Sequence, residues 1–396
     1  MAAPAPHRDR LGLELTAASG EAARAWDDAF WAYVDFARDP GAHLKRTLEL
    51  DPAMPMAQVL KGYFMHLMGA ARFLPEAGAA HAAALAAGGT ARERAHAGAL
   101  GAWCEGELER TIAILEDILA AQPHDLLALK ISNYLHFYLG NAAGVRDGPG
   151  RALAAWEGSM PGYPHLLALH AFGLEESGDY AEAERTGRRA TDLNPADPWA
   201  VHSVAHVMEM QGRTAEGVAW IGSLAPHWEG TNFFRHHLWW HQALFHWKRG
   251  EHARALALYD ARVWADGAAE NLSLCNDVSL LARLELAGAE LGERWKAAAA
   301  LMRDSIGDAV LAFVDAHYAL ALGELPSFAG DGTQSRVRTE VGRALCEGLA
   351  AWRRGEYARA ADLIGPVKGA IWRVGGSHAQ RKLFALILAD AERRRA

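Results

Sequence analysis

Glycines recur along this chain at a nearly constant interval, and this spacing constrains the fold more than any other feature of the sequence. Successive members of the series lie 32 to 38 residues apart, with one longer gap after Gly250. The series is Gly69, Gly106, Gly140, Gly178, Gly212, Gly250, Gly323 and Gly355. A fixed period of this length is typical of solenoids in which each repeat is a pair of helices joined by a short turn. The missing turn of the series is expected near Ala289.

The segment around Gly178 identifies the type of helix pair. With Gly178 at the turn, the small, aromatic and proline positions of a tetratricopeptide repeat are filled by Ala171, Tyr180, Ala183, Ala190 and Pro195. Small residues are needed where the two helices approach closely, and proline ends the second helix because it cannot continue one. The unit around Gly140 departs from this pattern, with Asn133 at the small site. The sequence therefore predicts an all-α, tetratricopeptide-type helix-pair solenoid, a right-handed superhelix of about eight to nine repeats with a C-terminal capping helix.

The composition fits one continuous helical body. Apolar residues make up 51% of the chain and charged residues 22%, and no run of alternating β-branched residues indicates a strand. Three segments are expected: a loosely ordered N-terminal segment at 1–20, the solenoid at 21–369, and a capping turn with the last helix at 370–396.

The charge, the cysteine content and the hydropathy of the chain exclude several kinds of partner and site. The formal net charge is −8 and basic residues are interspersed with acidic ones, so no broad surface for nucleic acid is expected. Cys104, Cys275 and Cys346 are odd in number and far apart, which argues against a disulfide framework and against a cysteine zinc site. The N-terminus lacks the apolar core of a signal peptide, and no stretch is apolar for long enough to span a membrane. A cytoplasmic protein without a membrane partner is expected.

The repeat register predicts which side chains face the concave side. In this repeat type the first helix of each pair lines the groove, and positions three or four apart share one helical stripe. The stripe of the Gly212 unit carries two histidines, a tryptophan and an acid, and the next unit and the flanking units extend it with further histidines and aromatic residues. The candidate groove residues are His165, Phe172, Glu175, Trp199, His202, His206, Glu209, His237, Trp240, His241, Trp247 and His317, with His378 from the last helix.

The chemistry of this stripe favours a pocket. Peptide-binding arrays of this class more often present Lys, Arg and Asn, which clamp a peptide backbone or carboxylate. Imidazoles, indoles and carboxylates are more typical of a narrow pocket for a small or aromatic ligand.

Two kinds of chemistry are compatible with the same residues. His202 and His206 are four residues apart and Glu209 follows three later, so these side chains, with His237 or His241 from the next repeat, could hold zinc or non-haem iron. Alternatively, a groove histidine acts as a metal-free general base, oriented by a carboxylate such as Glu209 or Glu175. The candidate catalytic residues in either case are His202, His206, Glu209, His237 and His241, and the candidate metal ligands are His202, His206, Glu209 and His237.

Several longer motifs resemble one family. They are RERAH at 92–96, HDLLALK at 124–130, VRD at 145–147, AFGLEESGDYAEAE at 171–184, DPWAVHSVAHVMEMQGR at 197–213, HLWWHQALFHWKRGE at 237–251, ALYD at 257–260 and GGSHAQR at 375–381. In these motifs the chain is similar to the tetratricopeptide repeat protein 38 family, from about residue 25 to 390. The resemblance implies the solenoid fold and carries no assigned activity. The chain departs from the family pattern at Lys382 and at Asn276-Asp277.

Two functions remain open at the level of sequence. One is a pocket that binds, and could transform, a small-molecule ligand by acid/base or metal-assisted chemistry. The other is a non-catalytic scaffold that binds a partner peptide or helix along an open groove. The curvature of the solenoid separates them, because only a closed superhelix turns its groove into a pocket. The sequence does not determine the ligand, the oligomeric state, or whether the chain is an enzyme.

Overall fold

Antiparallel helix pairs account for nearly all of the chain. The computed structural model describes residues 7–264, 271–328 and 330–395. Its first ten helices are α1 (Gly20–Val34), α2 (Pro40–Leu50), α3 (Pro55–Leu67), α4 (Leu74–Ala87), α5 (Ala91–Cys104), α6 (Leu108–Ala121), α7 (Leu126–Tyr138), α8 (Ala142–Ala152), α9 (Tyr163–Glu176) and α10 (Tyr180–Leu193). The remaining helices are α11 (Pro198–Met210), α12 (Thr214–Trp228), α13 (Phe234–Lys248), α14 (His252–Leu258), α15 (Asn271–Leu286), α16 (Arg294–Met302), α17 (Ala312–Leu322), α18 (Gly332–Val337), α19 (Arg343–Arg353), α20 (Tyr357–Val367) and α21 (His378–Arg394).

Short segments of other geometry extend or join these helices. Single 3₁₀ turns cover Ala71–Phe73, Leu153–Ala155 and Arg303–Ser305, and a longer one covers Lys368–Val374. Two π-helical turns, Tyr259–Val263 and Arg338–Gly342, continue α14 and α18. The all-α solenoid expected from the sequence is therefore confirmed.

The glycine series marks the helix turns as expected. Every member of the series has a backbone φ between +63° and +87°, the left-handed region in which glycine is favoured because it has no Cβ. The missing turn is Gly288, with a φ of +80°, between α15 and α16. It lies one residue before the position near Ala289 at which the spacing placed it.

One repeat is incomplete. Gly323 ends α17 with a φ of +66°, but no helix forms among the described residues between Gly323 and Gly332. The chain then runs as one helical stretch through α18, the π turn and α19, which packs directly against α17. The described residues thus contain nine complete helix pairs, and α17 is a first helix without a second one.

The N-terminal segment differs from the expectation of loose order. Strands β1 (His7–Arg8) and β2 (Glu14–Leu15) form a small antiparallel hairpin, and Leu13 and Leu15 are buried against the first repeats. A carboxylate oxygen of Asp9 accepts hydrogen bonds from two backbone N–H groups of the hairpin loop, which holds the turn. Burial of two leucines and the local hydrogen bonds order residues 7–15, and the earlier residues lie outside the described part.

The superhelix closes on itself, because turns of its first half meet segments of its second half in the same order. The backbone oxygen of Phe36 accepts from Asn232 N–H at 2.7 Å, and the oxygen of Gly69 accepts from the Asn271 side chain at 2.6 Å. Further along, Gly106 accepts from Thr333, Gly140 lies against the carbonyl of Trp372, and Glu176 accepts from the His378 N–H. The concave side is consequently enclosed.

The first helices of the pairs face this enclosed side, as the repeat register predicts. Side chains that line its cavity come from α1, α3, α7, α9, α11, α13, α15, α17 and α21, with four more from the residues just after α1 and just before α13 and α21. In the described part of the chain, no helix combines the length and the apolar character that crossing a bilayer requires.

Candidate functional site

Four histidines from two neighbouring first helices meet on the concave side. His202 and His206 lie on α11, and His237 and His241 lie on α13. One ring nitrogen from each of the four can be chosen so that all of these atoms lie within 4.8 Å of one another. We call these four residues the histidine cluster. Its ring centroids are 4.4 Å apart for the α11 pair and 4.7 Å apart for the α13 pair.

Local signals in the sequence set the phase of both helices. The Asp197 side chain accepts from the Trp199 N–H at 2.9 Å and caps α11, whose first residue is a proline. The Asn232 side chain accepts from the Phe234 N–H at 3.0 Å at the start of α13. Since each helix begins at a defined residue, the histidines four residues apart lie on a defined face.

Hydrogen bonds determine which nitrogen of the α13 histidines faces the cluster. Nδ1 of His241 lies 2.9 Å from a carboxylate oxygen of Glu209, and Nδ1 of His237 lies 3.1 Å from Oδ1 of Asn276. Both oxygens can only accept, so each Nδ1 carries the proton. In the neutral rings the Nε2 atoms therefore present lone pairs to the centre of the cluster. This is the arrangement of histidine metal ligands, whose other nitrogen usually donates to a carboxylate or amide oxygen.

Lone pairs that face each other at these distances need a positive charge between them. Nε2 of His237 lies 3.3 Å from Nε2 of His241 and 3.0 Å from Nε2 of His202. One proton on His202 relieves only one of these contacts, whereas a cation at the centre attracts all of the lone pairs. Tetrahedral zinc, with Zn–N bonds of about 2.0–2.1 Å, keeps its ligand nitrogens about 3.4 Å apart. The residues present fit such an ion.

Burial keeps most of the cluster in the form that binds metal. Burial, and then the neighbouring imidazoles, lower the pKa of His202 and His241 well below the usual value, and burial lowers the pKa of His237 to about 3. These three imidazoles are neutral at pH 7, as metal ligation requires. Burial alone would also lower the pKa of His206, but the adjacent Glu175 carboxylate raises it above the usual value.

Glu209 takes a different position from the one expected from the sequence. It was expected among the metal ligands with His202, His206 and His237, but its carboxylate lies behind His241 and also pairs with the Lys248 ammonium at 3.2 Å. His241 instead completes the group of four imidazoles that could hold an ion. Glu209 follows His206 by three residues, and this offset turns its side chain past the stripe toward α13.

A second acidic group adjoins the cluster on the α9 side. Nδ1 of His206 lies 3.3 Å from Glu175, whose two carboxyl oxygens are buried and make no hydrogen bond with the described residues. Burial raises the pKa of Glu175. The neighbouring Glu176 is ion-paired with His378 at 2.9 Å and with Arg381 at 3.5 Å. His378 thus reaches the cluster through Glu176 and does not enter it.

The histidine cluster borders an aromatic cavity of about 210 Å³ on the concave side. His202, His206 and His237 lie in its wall. The other lining residues are mostly aromatic: Tyr33, Phe36, Leu67, Tyr134, Phe137, Tyr138, Phe172, Trp199, Asn232, Phe233, Phe234, Leu272, Ser273, Asn276, Phe313, Ser377 and Gln380. Phe233 is 42% exposed and therefore lies at the mouth of the cavity.

Several residues expected to line the pocket lie elsewhere. His165 is held between Asp197 at 3.0 Å and Asp35 at 2.9 Å, where it joins the end of α1 to the start of α11. Trp240 is fully buried and stacks on His237 from behind, and the Nδ1–H of His317 donates to the Phe313 carbonyl oxygen over 2.8 Å. Trp247 lines a separate polar cleft beside Lys248. Of the expected lining residues outside the cluster, Phe172 and Trp199 lie in the cavity wall.

No family model matches the chain. One solved structure to which it is similar is the crystal structure of the TPR domain of P58(IPK). The two chains are 11% identical over 94% of this chain and 87% of that one, with a TM-score of 0.25. The assignment to a TPR-like helical repeat fold rests on the helix pairs and turn glycines described above.

Some residues of the site were not among those that the repeat register selected. Asn276, which holds His237, lies at a position where the motif resemblance breaks down, and this departure was the one available hint. Tyr33 and Phe36 come from the first repeat, about 165 residues or more from the cluster, and only closure of the superhelix brings them into the cavity wall. Lys248 is paired with Glu209 across adjacent repeats.

Proposed function

We propose that this protein binds a divalent metal ion at the histidine cluster and a small organic molecule in the adjoining cavity. The observation that carries the proposal is the convergence of Nε2 lone pairs from His237 and His241, each ring being held by an acceptor behind it. Imidazole ligands suit zinc, iron, copper and nickel. Three of the imidazoles are also cavity-wall residues, which supports contact between the ion and a molecule in the cavity.

The chain's own residues have distinct tasks in this proposal. Glu209 and Asn276 orient His241 and His237, and the aromatic wall excludes water from the centre. A bound ion supplies Lewis-acid chemistry to an oxygen of the cavity ligand. If three imidazoles ligate the ion, His206 with Glu175 behind it is the group positioned to exchange a proton with the ligand. The proposal therefore includes acid/base chemistry as well as metal assistance.

A protein-interaction scaffold is the second candidate function. The TPR-like helical repeat fold by itself suggests this role, because such solenoids commonly bind peptides or helices in the groove. The enclosed concave side argues for the pocket, since the contacts from Phe36–Asn232 to Glu176–His378 occupy the space that a long peptide needs. An interaction role would then use the outer surface.

We also propose that the chain belongs with the tetratricopeptide repeat protein 38 family, which it resembles in sequence. The motifs at 171–184, 197–213 and 237–251 carry that resemblance, and they include all four cluster histidines and Glu175 and Glu209.

The first test is the metal content of untagged protein purified without chelator, measured by plasma mass spectrometry. The wild type is compared with His237→Ala/His241→Ala, in which two of the four cluster imidazoles are lost. A matched control is His246→Ala/His252→Ala, because His246 also lies on α13 but pairs with Glu251 outside the cluster. We expect about one equivalent of zinc, iron, copper or nickel in the wild type and the control, and none in the cluster variant. Equal metal content in all three proteins, or none in any, contradicts the metal site.

A further inference from the structure

The size and shape of the cavity limit its ligand to a compact molecule. An engineered cavity of about 150 Å³ in another protein accommodates benzene. The volume of about 210 Å³ here corresponds to one or two fused rings with a small substituent. Aromatic faces bound this space: the Phe36 and Trp199 rings are nearly parallel at 8°, and the Tyr134 ring meets Trp199 edge-on at 86°. Such walls favour a flat ring, which can stack on one face and meet the edge of another.

The charges around the cavity disfavour a charged ligand. None of the described lining residues is Asp, Glu, Lys or Arg, so a charged group in the aromatic part of the cavity, out of reach of an ion at the histidine cluster, would lose its hydration without an ion pair. Aromatic walls often indicate a cation-binding cage, but here the ammonium of Lys130 already lies behind them. It is 3.9 Å from the Phe36 ring centroid and 5.1 Å from that of Tyr33. A second cation on the cavity side would be repelled.

Two polar groups in the aromatic wall have no partner. The Tyr33 hydroxyl and the Trp199 indole N–H are buried and make no hydrogen bond with the described residues, and both side chains line the cavity. An indole N–H can only donate, and leaving a buried donor unsatisfied is costly. A ligand oxygen that accepts from these groups would remove that cost.

Resting on the proposed function, we infer that the cavity ligand is an uncharged aromatic molecule of one or two fused rings that carries a hydroxyl or carbonyl oxygen. The ring lies in the cavity against the wall that Phe36, Trp199 and Phe234 form by packing on one another. Its oxygen accepts from the Trp199 N–H or the Tyr33 O–H, and a second oxygen, where present, points toward the histidine cluster.

Isothermal titration calorimetry with four probes of one shape tests this inference. The probes are 2-naphthol, naphthalene, 2-naphthalenesulfonate and trimethyl(2-naphthyl)ammonium. We expect 2-naphthol to bind about tenfold more tightly than naphthalene, the effect of one hydrogen bond, and both charged probes to show no binding at concentrations that saturate with 2-naphthol. Tighter binding of either charged probe, or equal binding of naphthalene, overturns the inference.

Conservative variants connect the binding to the two unpartnered groups. Trp199→Phe and Tyr33→Phe keep the aromatic wall but remove a donor, and at least one of them should weaken 2-naphthol binding about tenfold without changing naphthalene binding. Trp220→Phe is the control, because the Trp220 N–H donates to the Val201 carbonyl outside the cavity. Unchanged 2-naphthol affinity in both donor variants overturns the assignment of the oxygen.

The same titrations separate this inference from the metal site. Wild type from which metal has been removed with a chelator should still bind 2-naphthol, because every side chain of the cavity wall stays in place. If the wild type contains metal but does not bind 2-naphthol, the proposed ligand class is wrong and the metal site is supported. If the wild type binds 2-naphthol but contains no metal, the ligand class is supported and the metal site is wrong.

Discussion

The Nδ1–H of His241 donates to the Glu209 carboxylate over 2.9 Å, and this bond fixes Nε2 as the nitrogen that faces the histidine cluster. The same carboxylate pairs with Lys248 at 3.2 Å, and the Lys248 ammonium also donates to the Glu209 backbone oxygen at 3.0 Å. Glu209 is therefore held on both sides. A carboxylate behind a histidine ligand also increases the basicity of the ring.

Glu209→Gln should weaken metal binding without unfolding the protein. The amide oxygen can still accept from His241, but the negative charge is lost and Lys248 has no counter-ion. Loss of such an outer partner typically lowers metal affinity by about 10–100-fold. Competition for zinc against a chromophoric chelator measures the change. Glu251→Gln is the matched control, because Glu251 accepts from His246 at 2.6 Å outside the cluster, and its zinc affinity should equal that of the wild type. Equal affinities in all three proteins would contradict an orienting role for Glu209.

Zinc should stabilise the folded protein through the histidine cluster. An ion that binds only the folded state at 100 times its dissociation constant raises the free energy of unfolding by about 2.7 kcal/mol. Urea unfolding with zinc and with a chelator should therefore differ by about this amount for the wild type. In His237→Ala/His241→Ala the two unfolding curves should coincide. A zinc-dependent shift that persists in the variant would place the ion elsewhere.

The sequence predicted the helix turns and the inner face because both follow from local rules. A glycine with positive φ is needed wherever a first helix turns into a second one, and residues four apart share a helical face. These rules led to His202, His206, His237 and His241. The hairpin at residues 7–15, and the lack of a second helix among the described residues after Gly323, leave no periodic signal in the sequence.

The parts of the site that depend on closure of the superhelix could not be predicted. The repeat register placed both His206 and His165 on the groove side of their helices. In the structure, however, Asp35 from the first repeat lies beside His165 and forms an ion pair with it. Tyr33 enters the cavity wall for the same reason. Such contacts between distant repeats depend on the total curvature, which accumulates small rotations at every helix pair and is not encoded at any one residue.

His165 should make stability depend on pH in the alkaline range. Burial alone would lower its pKa, but Asp197 and Asp35 raise it to about 9. Because the folded-state pKa lies above the unfolded value of about 6.5, the contribution is fully present below pH 6.5 and is lost as the pH rises to 9. The contribution of His165 to the free energy of unfolding is at most about 3 kcal/mol. The true value is smaller, because Asp35 is half exposed and water screens its charge.

The measurement is the free energy of unfolding at pH 6 and at pH 9.5 for the wild type and for His165→Gln. The wild type should lose more stability than the variant over this interval, and the difference between the two losses is the contribution of His165. Parallel losses would mean that the imidazole is neutral across the whole range and that its two carboxylate contacts are weak.

Gly140 tests whether closure of the superhelix maintains the cavity. Its φ is +65°, and a Cβ added there would lie 1.9 Å from the Trp372 carbonyl oxygen, a backbone atom that cannot rotate away. Gly250 is the matched control, since it has a φ of +75° at an equivalent turn and a Cβ there would meet nothing within 4 Å. Gly250→Ala should cost about 1–2 kcal/mol of stability, the usual penalty of the left-handed conformation.

Gly140→Ala should cost at least about 2 kcal/mol more than Gly250→Ala, because the backbone overlap must be relieved in addition to the strain. To remove this overlap, Gly140 must move away from the 3₁₀ turn that precedes α21. Helix α21 would move with that turn, and it supplies Gln380 to the cavity wall. The radius of gyration from X-ray scattering should therefore increase in Gly140→Ala alone, and its affinity for 2-naphthol should fall. Equal stability losses with unchanged scattering would show that the halves adjust at this contact without opening, so that the other contacts between the two halves hold the superhelix closed.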